Sequence, residues 1–149
     1  PEKVKGRGLS RISCGRRFTE AGGWMTSIMV EIYRIQDAEG RGPYKPGMTI
    51  LWSDRLYHGP TWMSEFGVDL LDKCPKRFGH TGCGFRNLDQ LKSWFFVQEI
   101  YSLYSLGYRV VTLNADIILA ESKEQLVFAR RKPLFSGARP LKIMALEAA

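Results

Sequence analysis

A chain of 149 residues, 44% hydrophobic and 25% charged, is long enough for one domain with a real core and has the composition of a soluble globular protein. No apolar run approaches the ~20 residues of a membrane helix. Three cysteines without a signal-peptide pattern argue against a disulfide framework and for a reducing, cytoplasmic setting. The net charge of +7 sits at the ends: Lys3, Lys5, Arg7, Arg11, Arg16 and Arg17 outnumber Glu2 and Glu20, and Arg130, Arg131, Lys132, Arg139 and Lys142 outnumber Glu147. Between the ends the charges nearly cancel, which suits solubilising tails or arms that touch phosphate without sequence preference.

Residues 1–24 begin with Pro1, are glycine-punctuated and lack apolar periodicity, so they read as a basic, disordered extension upstream of Met25. Residues 25–132 read as a single globular domain, and residues 133–149 as a basic, loosely ordered tail. Ile28 to Ile35 is the first strand, with imperfect alternation that fits burial on both faces. Asp37 to Gly47 is a turn-rich loop. Ser64 to Leu71 reads as a short helix with Phe66, Leu70 and Leu71 on its apolar side.

The centre of the chain carries the clearest signals. Asn87 is an N-cap with Gln90 three residues on and Asp89 in the first turn. Leu88, Leu91 and Phe95 then define one helical face, and the apolar spacing continues to Leu106 with an interruption at Gln98-Glu99. Gly107 is a suitable C′ residue. Tyr108 to Leu113, Asp116 to Ala120 and Gln125 to Ala129 follow as strand segments, the last an antiparallel partner. The expected fold is α+β, a small mostly antiparallel sheet packed against one or two central helices.

Catalytic patterns are weak. Cys74, His80 and Cys83 form C-x5-H-x2-C, with His58 as a fourth candidate, but structural zinc usually takes two tight ligand pairs and only one is present; no metal is expected. Any Cys–His or Ser–His site would need His58 or His80, and no nucleophile elbow or phosphate loop accompanies them. Asp69 with Asp72, and Glu121 with Glu124, read as solvated acids. Tyr33, Tyr44 and Trp52 beside glycine-rich turns are candidate rim residues of a small-molecule pocket, and core packing explains them equally.

Ile32-Tyr33-Arg34-Ile35, Gly40-Arg41-Gly42-Pro43-Tyr44, the run Gly84-Phe85-Arg86-Asn87 to Phe95, and Gln125-Leu126-Val127-Phe128 occur in that order over residues 29–130. This set resembles a group of small bacteriophage and prophage proteins. The resemblance implies a cytoplasmic accessory product of a phage in its bacterial host and supplies no activity. A thinner likeness is to the ADP-ribosyltransferase fold, in which Arg34 would match the early-strand cation and Phe85 the aromatic-led strand. The catalytic glutamate position falls near Gln125, which has no carboxylate. That likeness implies a nucleotide cleft at Arg34, Phe85 and Gln125, with NAD as the only cofactor to consider. The leading expectation is a non-catalytic interaction module acting on a host protein. The alternatives are an inactive NAD-binding relative of the transferases and weak nucleic-acid binding through the basic ends.

Overall fold

The computed structural model describes residues 29–148 and, ahead of them, a pair of antiparallel strands, β1 (Arg16–Phe18) and β2 (Trp24–Thr26). The expectation of disorder over residues 1–24 therefore lies outside the described residues except for β1 and Trp24.

β3 (Val30–Gln36) pairs antiparallel with β5 (Arg109–Ala115), from Val30 opposite Ala115 to Gln36 opposite Arg109. β8 (Arg139–Pro140) lies on the other edge of β5. In a second sheet, β4 (His80–Gly84) pairs with β7 (Leu126–Arg130), which pairs with β6 (Ile117–Glu121), again antiparallel. The two sheets join twice. β5 passes through Asp116 straight into β6. Tyr33 and Phe85 exchange both backbone hydrogen bonds at 2.8 Å, linking β3 to the end of β4. The strands thus close around an interior filled by Ile32, Leu113, Ile118, Leu126 and Phe128, all fully buried. The fold is α+β as expected, with the antiparallel sheet divided in two.

Helices cover the outer faces. α1 (Trp62–Phe66) and a 3-10 turn (Leu70–Lys73) put Phe66 and Leu70 on the sheet of β6 and β7. The single helix expected over Ser64 to Leu71 is broken at Gly67, whose φ of +102° takes the chain out of the helix. α2 (Leu88–Trp94) and α3 (Val97–Ser105) pack Leu91, Phe95, Ile100 and Leu103 against Ile35 and Val110. The central segment is therefore two helices. It parts at Phe95-Phe96, three residues before the interruption read in the sequence, because Glu99 turns back to accept the Phe96 amide at 2.9 Å and starts a new helix there.

Asn87 caps α2, accepting the Gln90 amide at 2.8 Å. The Gln90 side chain accepts from the Arg86 amide at 2.7 Å and donates to the Lys123 carbonyl at 2.8 Å, which fastens the helix start to the β6–β7 turn. Asn87→Ala is expected to cost about 1 kcal/mol. A lowered denaturation midpoint at unchanged denaturant slope, largely recovered by Asn87→Ser, checks this.

The C-terminal segment departs from the loose tail expected of it. Leu141 donates its amide to Val110, α4 (Ile143–Ala148) buries Leu146 in the core beside α2 and α3, and Lys92 donates to the Leu146 carbonyl at 2.8 Å. Its apolar residues were too few and too interspersed with Lys142 and Glu147 to announce this packing.

Candidate functional site: an aromatic cleft over a buried arginine

β3 ends in a tight turn, where Asp37 accepts the amides of Glu39 and Arg41 at 2.9 Å each. That turn carries Gly42, Pro43 and Tyr44 back across the mouth of the sheet junction. The loop at His58 to Thr61 approaches from the opposite side, and Gly82 to Phe85 and Trp94 form the far wall. Between them lies an open cleft of about 550 Å³. Its walls are largely aromatic, from Tyr44, Phe85, Trp94 and Phe95, and its polar groups include Arg34, Lys45, His58, Thr61 and Gln125.

The structure brings together Arg34, Phe85 and Gln125, the three residues singled out for a nucleotide cleft. The other candidate set divides. Tyr44 lines the cleft. Trp52 is buried behind it, its indole donating to the Pro43 carbonyl at 3.2 Å and its ring edge-on to Tyr44 at 5.4 Å. Tyr33 faces the helices and meets the site only through its backbone pairing with Phe85. Nothing in the sequence marks Trp94 or the two glycines 42 and 82 as site residues, and His58 is weighed there only as a zinc ligand or catalytic histidine. Their sequence signals, a helical face and turn punctuation, are those of ordinary core and loop.

Arg34 is the most constrained of the polar groups. It donates through Nε to Gln36 Oε1 at 2.9 Å, through Nη1 to the Cys83 carbonyl at 2.7 Å and through Nη2 to the Gly40 carbonyl at 3.1 Å. Burial lowers its pKa, opposed by the nearby Cys83 and Asp37. Among the described residues no carboxylate lies within ion-pair distance of it. Cys83 also lines the cleft, and burial pushes its thiol up to about 11 against the pull of Arg34. The thiol is therefore protonated at neutral pH and is a poor nucleophile.

A second chain of hydrogen bonds sets the aromatic wall. The Trp94 indole donates to the Tyr44 hydroxyl at 2.9 Å, and that hydroxyl lies 3.5 Å from His58 Nδ1. His58 Nε2 is 3.0 Å from the Arg55 carbonyl, which can only accept, so Nε2 carries a hydrogen. Burial raises the Tyr44 phenol to about 12, with Trp94 and Arg55 opposing. Gln125 uses its amide nitrogen on the Pro60 carbonyl and Glu65 Oε1, both at 2.9 Å. The arrangement offers flat apolar surfaces, one fixed cation and a few directed dipoles.

The residues weighed for metal do not assemble. Among the described residues no group of three or more His, Cys, Asp or Glu could hold an ion. Asp69 pairs with Lys73 at 3.8 Å, and Glu121 with Arg86 at 2.5 Å, while Glu124 is not part of that pair. No helix among the described residues is long and apolar enough to cross a membrane.

No curated protein and no solved structure matches the chain. The family model described as the bacteriophage T4 Y00F protein matches residues 25–141, which takes in every strand of both sheets and every wall of the cleft. The chain therefore belongs to the bacteriophage T4 Y00F protein family, a family of small phage accessory proteins.

Proposed function

We propose that this phage protein is a non-catalytic binding module whose cleft takes a small planar ligand of nucleoside type. The observation that carries the reading is the convergence of Arg34, Phe85 and Gln125 on one open cleft walled by Tyr44 and Trp94. Tyr44, Phe85, Trp94 and Phe95 on the cleft walls offer aromatic surface to a flat ring, and a few placed dipoles suit orientation. The Phe85 and Trp94 rings are 5.6 Å apart and tilted, and Phe85 meets Phe95 edge-on at 6.1 Å. The case against turnover is chemical. Gln125 brings no carboxylate to the cleft, the Cys83 thiol and Tyr44 phenol are held protonated, and the carboxylate nearest to Gln125, Glu65, already accepts from it. The setting is the cytoplasm of a bacterial host.

Titration with adenosine and with NAD, read by NMR shifts of the Trp94 indole, tests this. Both ligands are expected to move that resonance at sub-millimolar to millimolar concentration without release of nicotinamide. No shift at saturating solubility would sink the reading. Nicotinamide release abolished by Arg34→Ala would replace it with transferase activity.

A second reading, a host-protein interaction surface, has its own observation. Ile50, Leu51, Leu56 and Tyr57 stand exposed on one segment, and Phe96 and Val97 on the adjoining start of α3 are exposed too. Arg55 bridges the two, stacked 4.1 Å over the Phe96 ring. Contiguous exposed apolar side chains of this kind mark protein contacts. Leu56→Asp with Tyr57→Asp is expected to abolish partner association and leave adenosine binding intact. Nucleic-acid contact through the basic ends has less support, because Arg130 is buried on backbone carbonyls and Arg139 pairs with Glu31 at 2.5 Å.

A further inference from the structure

Resting on the cleft reading, we infer that the ligand is an anion-bearing one, and that Arg34 receives a phosphate or carboxylate oxygen through its terminal N–H groups beside Gly42 and Gly82. A guanidinium has five N–H groups in a fixed fork. Arg34 spends one from Nε, one from Nη1 and one from Nη2 on Gln36, Cys83 and Gly40. The second hydrogen of Nη1 and the second of Nη2 have no acceptor among the described residues. Donors left over on both terminal nitrogens are the kind of group from which a guanidinium holds an anion.

Both terminal nitrogens lie against glycines of the cleft wall. A methyl on Gly82 would stand 3.1 Å from Nη1 and 3.3 Å from the guanidinium carbon, and one on Gly42 would stand 3.6 Å from Nη2. Neither glycine has a positive φ, so neither is required by the backbone conformation. At Gly82 the missing side chain makes room for the guanidinium itself, with Leu134 also 3.2 Å from the Cβ position, and at Gly42 it leaves Nη2 at ordinary contact distance; Arg34, Gly42 and Gly82 all border the same cleft. A positive charge hydrogen-bonded to three neutral carbonyls, with Asp37 near but outside ion-pair distance, is a costly arrangement in an isolated protein. An anion entering from the cleft neutralises it at low local dielectric. Tyr44, Phe85 and Trp94 on the adjoining walls then hold the ring to which that anion is attached. The ligand class is a flat ring with a phosphate or carboxylate, of which a nucleoside monophosphate is the simplest example.

The test compares adenosine, AMP and inorganic phosphate on the full chain by calorimetry and NMR, with wild type and Gly42→Ala. At 3.6 Å the added methyl is an ordinary contact, so the variant is expected to fold like wild type while shading Nη2. AMP should bind wild type about tenfold tighter than adenosine, and inorganic phosphate should shift the Arg34 side-chain resonances. In Gly42→Ala the ratio of AMP to adenosine affinity should fall to within about twofold. Equal binding of adenosine and AMP to wild type would overturn the anion site and leave the ring-binding reading standing. An AMP advantage that survives in both Gly42→Ala and Arg34→Lys would place the phosphate elsewhere and overturn it as well. If adenosine, AMP and phosphate all fail to bind, the cleft reading falls and takes this inference with it.

Discussion

Alanine at Gly84 should destabilise the protein by about 3 kcal/mol, the upper end of what overpacking a core usually costs. Its methyl would stand 2.9 Å from the Tyr33 carbonyl oxygen and 3.0 Å from Ile32 Cδ1. Neither can move away cheaply. The Tyr33 carbonyl accepts the Phe85 amide at 2.8 Å, one of the two hydrogen bonds by which the sheets are joined. Ile32 is fully buried in the interior the sheets enclose. Relief therefore requires opening the junction, which also displaces Phe85 from the cleft wall. The effect is steric, since φ at Gly84 is not positive. Gly107→Ala is the contrast: its φ is +96° with nothing within 4 Å, so only backbone strain is felt there. Denaturation midpoints, with amide exchange at Tyr33 and Phe85, separate the two. A Gly84→Ala loss below about 0.5 kcal/mol would mean that the junction is not rigid.

What the sequence made legible follows from how local each signal is. The cap at Asn87, the β-branched run Val110 to Leu113 and the strand Leu126 to Phe128 announce themselves within a few residues, and each forms where expected. The parting of α2 from α3 was displaced because Glu99 reads as an interruption of an apolar face, whereas its carboxylate is a helix-start acceptor and an ion-pair partner. One of the two places where the sheets join is the exchange between Tyr33 and Phe85, fifty-two positions apart in numbering, and no periodicity reports such a contact. The site was legible through Arg34, Phe85, Gln125 and Tyr44. Trp52 looked like a rim residue because aromatics beside glycine turns serve pockets and cores alike, and here it supports Tyr44 from behind. Gly42 and Gly82 gave turn signals only, since what distinguishes them is what a side chain would touch.

Glu99→Ala should cost about 2–3 kcal/mol, less than the 3–5 typical of breaking a fully buried pair because Arg55 can regain some water. Glu99 is 5% exposed in the first turn of α3, and its carboxylate is fully used. Oε1 accepts from the Phe96 amide at 2.9 Å and from Arg55 Nη2 at 2.7 Å, while Oε2 accepts from Arg55 Nε at 2.9 Å and from the Ser53 hydroxyl. Arg55 in turn donates to the Trp94 carbonyl at 2.9 Å, and its own carbonyl receives His58 Nε2. One carboxylate thus starts α3, holds the exposed segment 53–57 and orients the histidine beside Tyr44.

Burial alone would raise the Glu99 pKa, but the hydrogen bonds from Arg55, Ser53 and Phe96 outweigh it and hold it below the usual glutamate value. A depressed folded pKa stabilises the fold at pH above the unfolded value, about 4.3, and that contribution is lost as pH falls through the lower folded value. Asp37 shifts in the same direction, with burial again opposed by the Arg41 and Glu39 amides, so it contributes to the same acid limb. The discriminating measurement is a difference. Stability of wild type minus Glu99→Gln should be constant from pH 5 to 7 and shrink below about pH 4.3, because glutamine cannot lose the charge that wild type loses. A difference that stays flat to pH 2 would mean the carboxylate's charge does not hold Arg55, and the Trp94–Tyr44–His58 wall would then owe its geometry to packing alone.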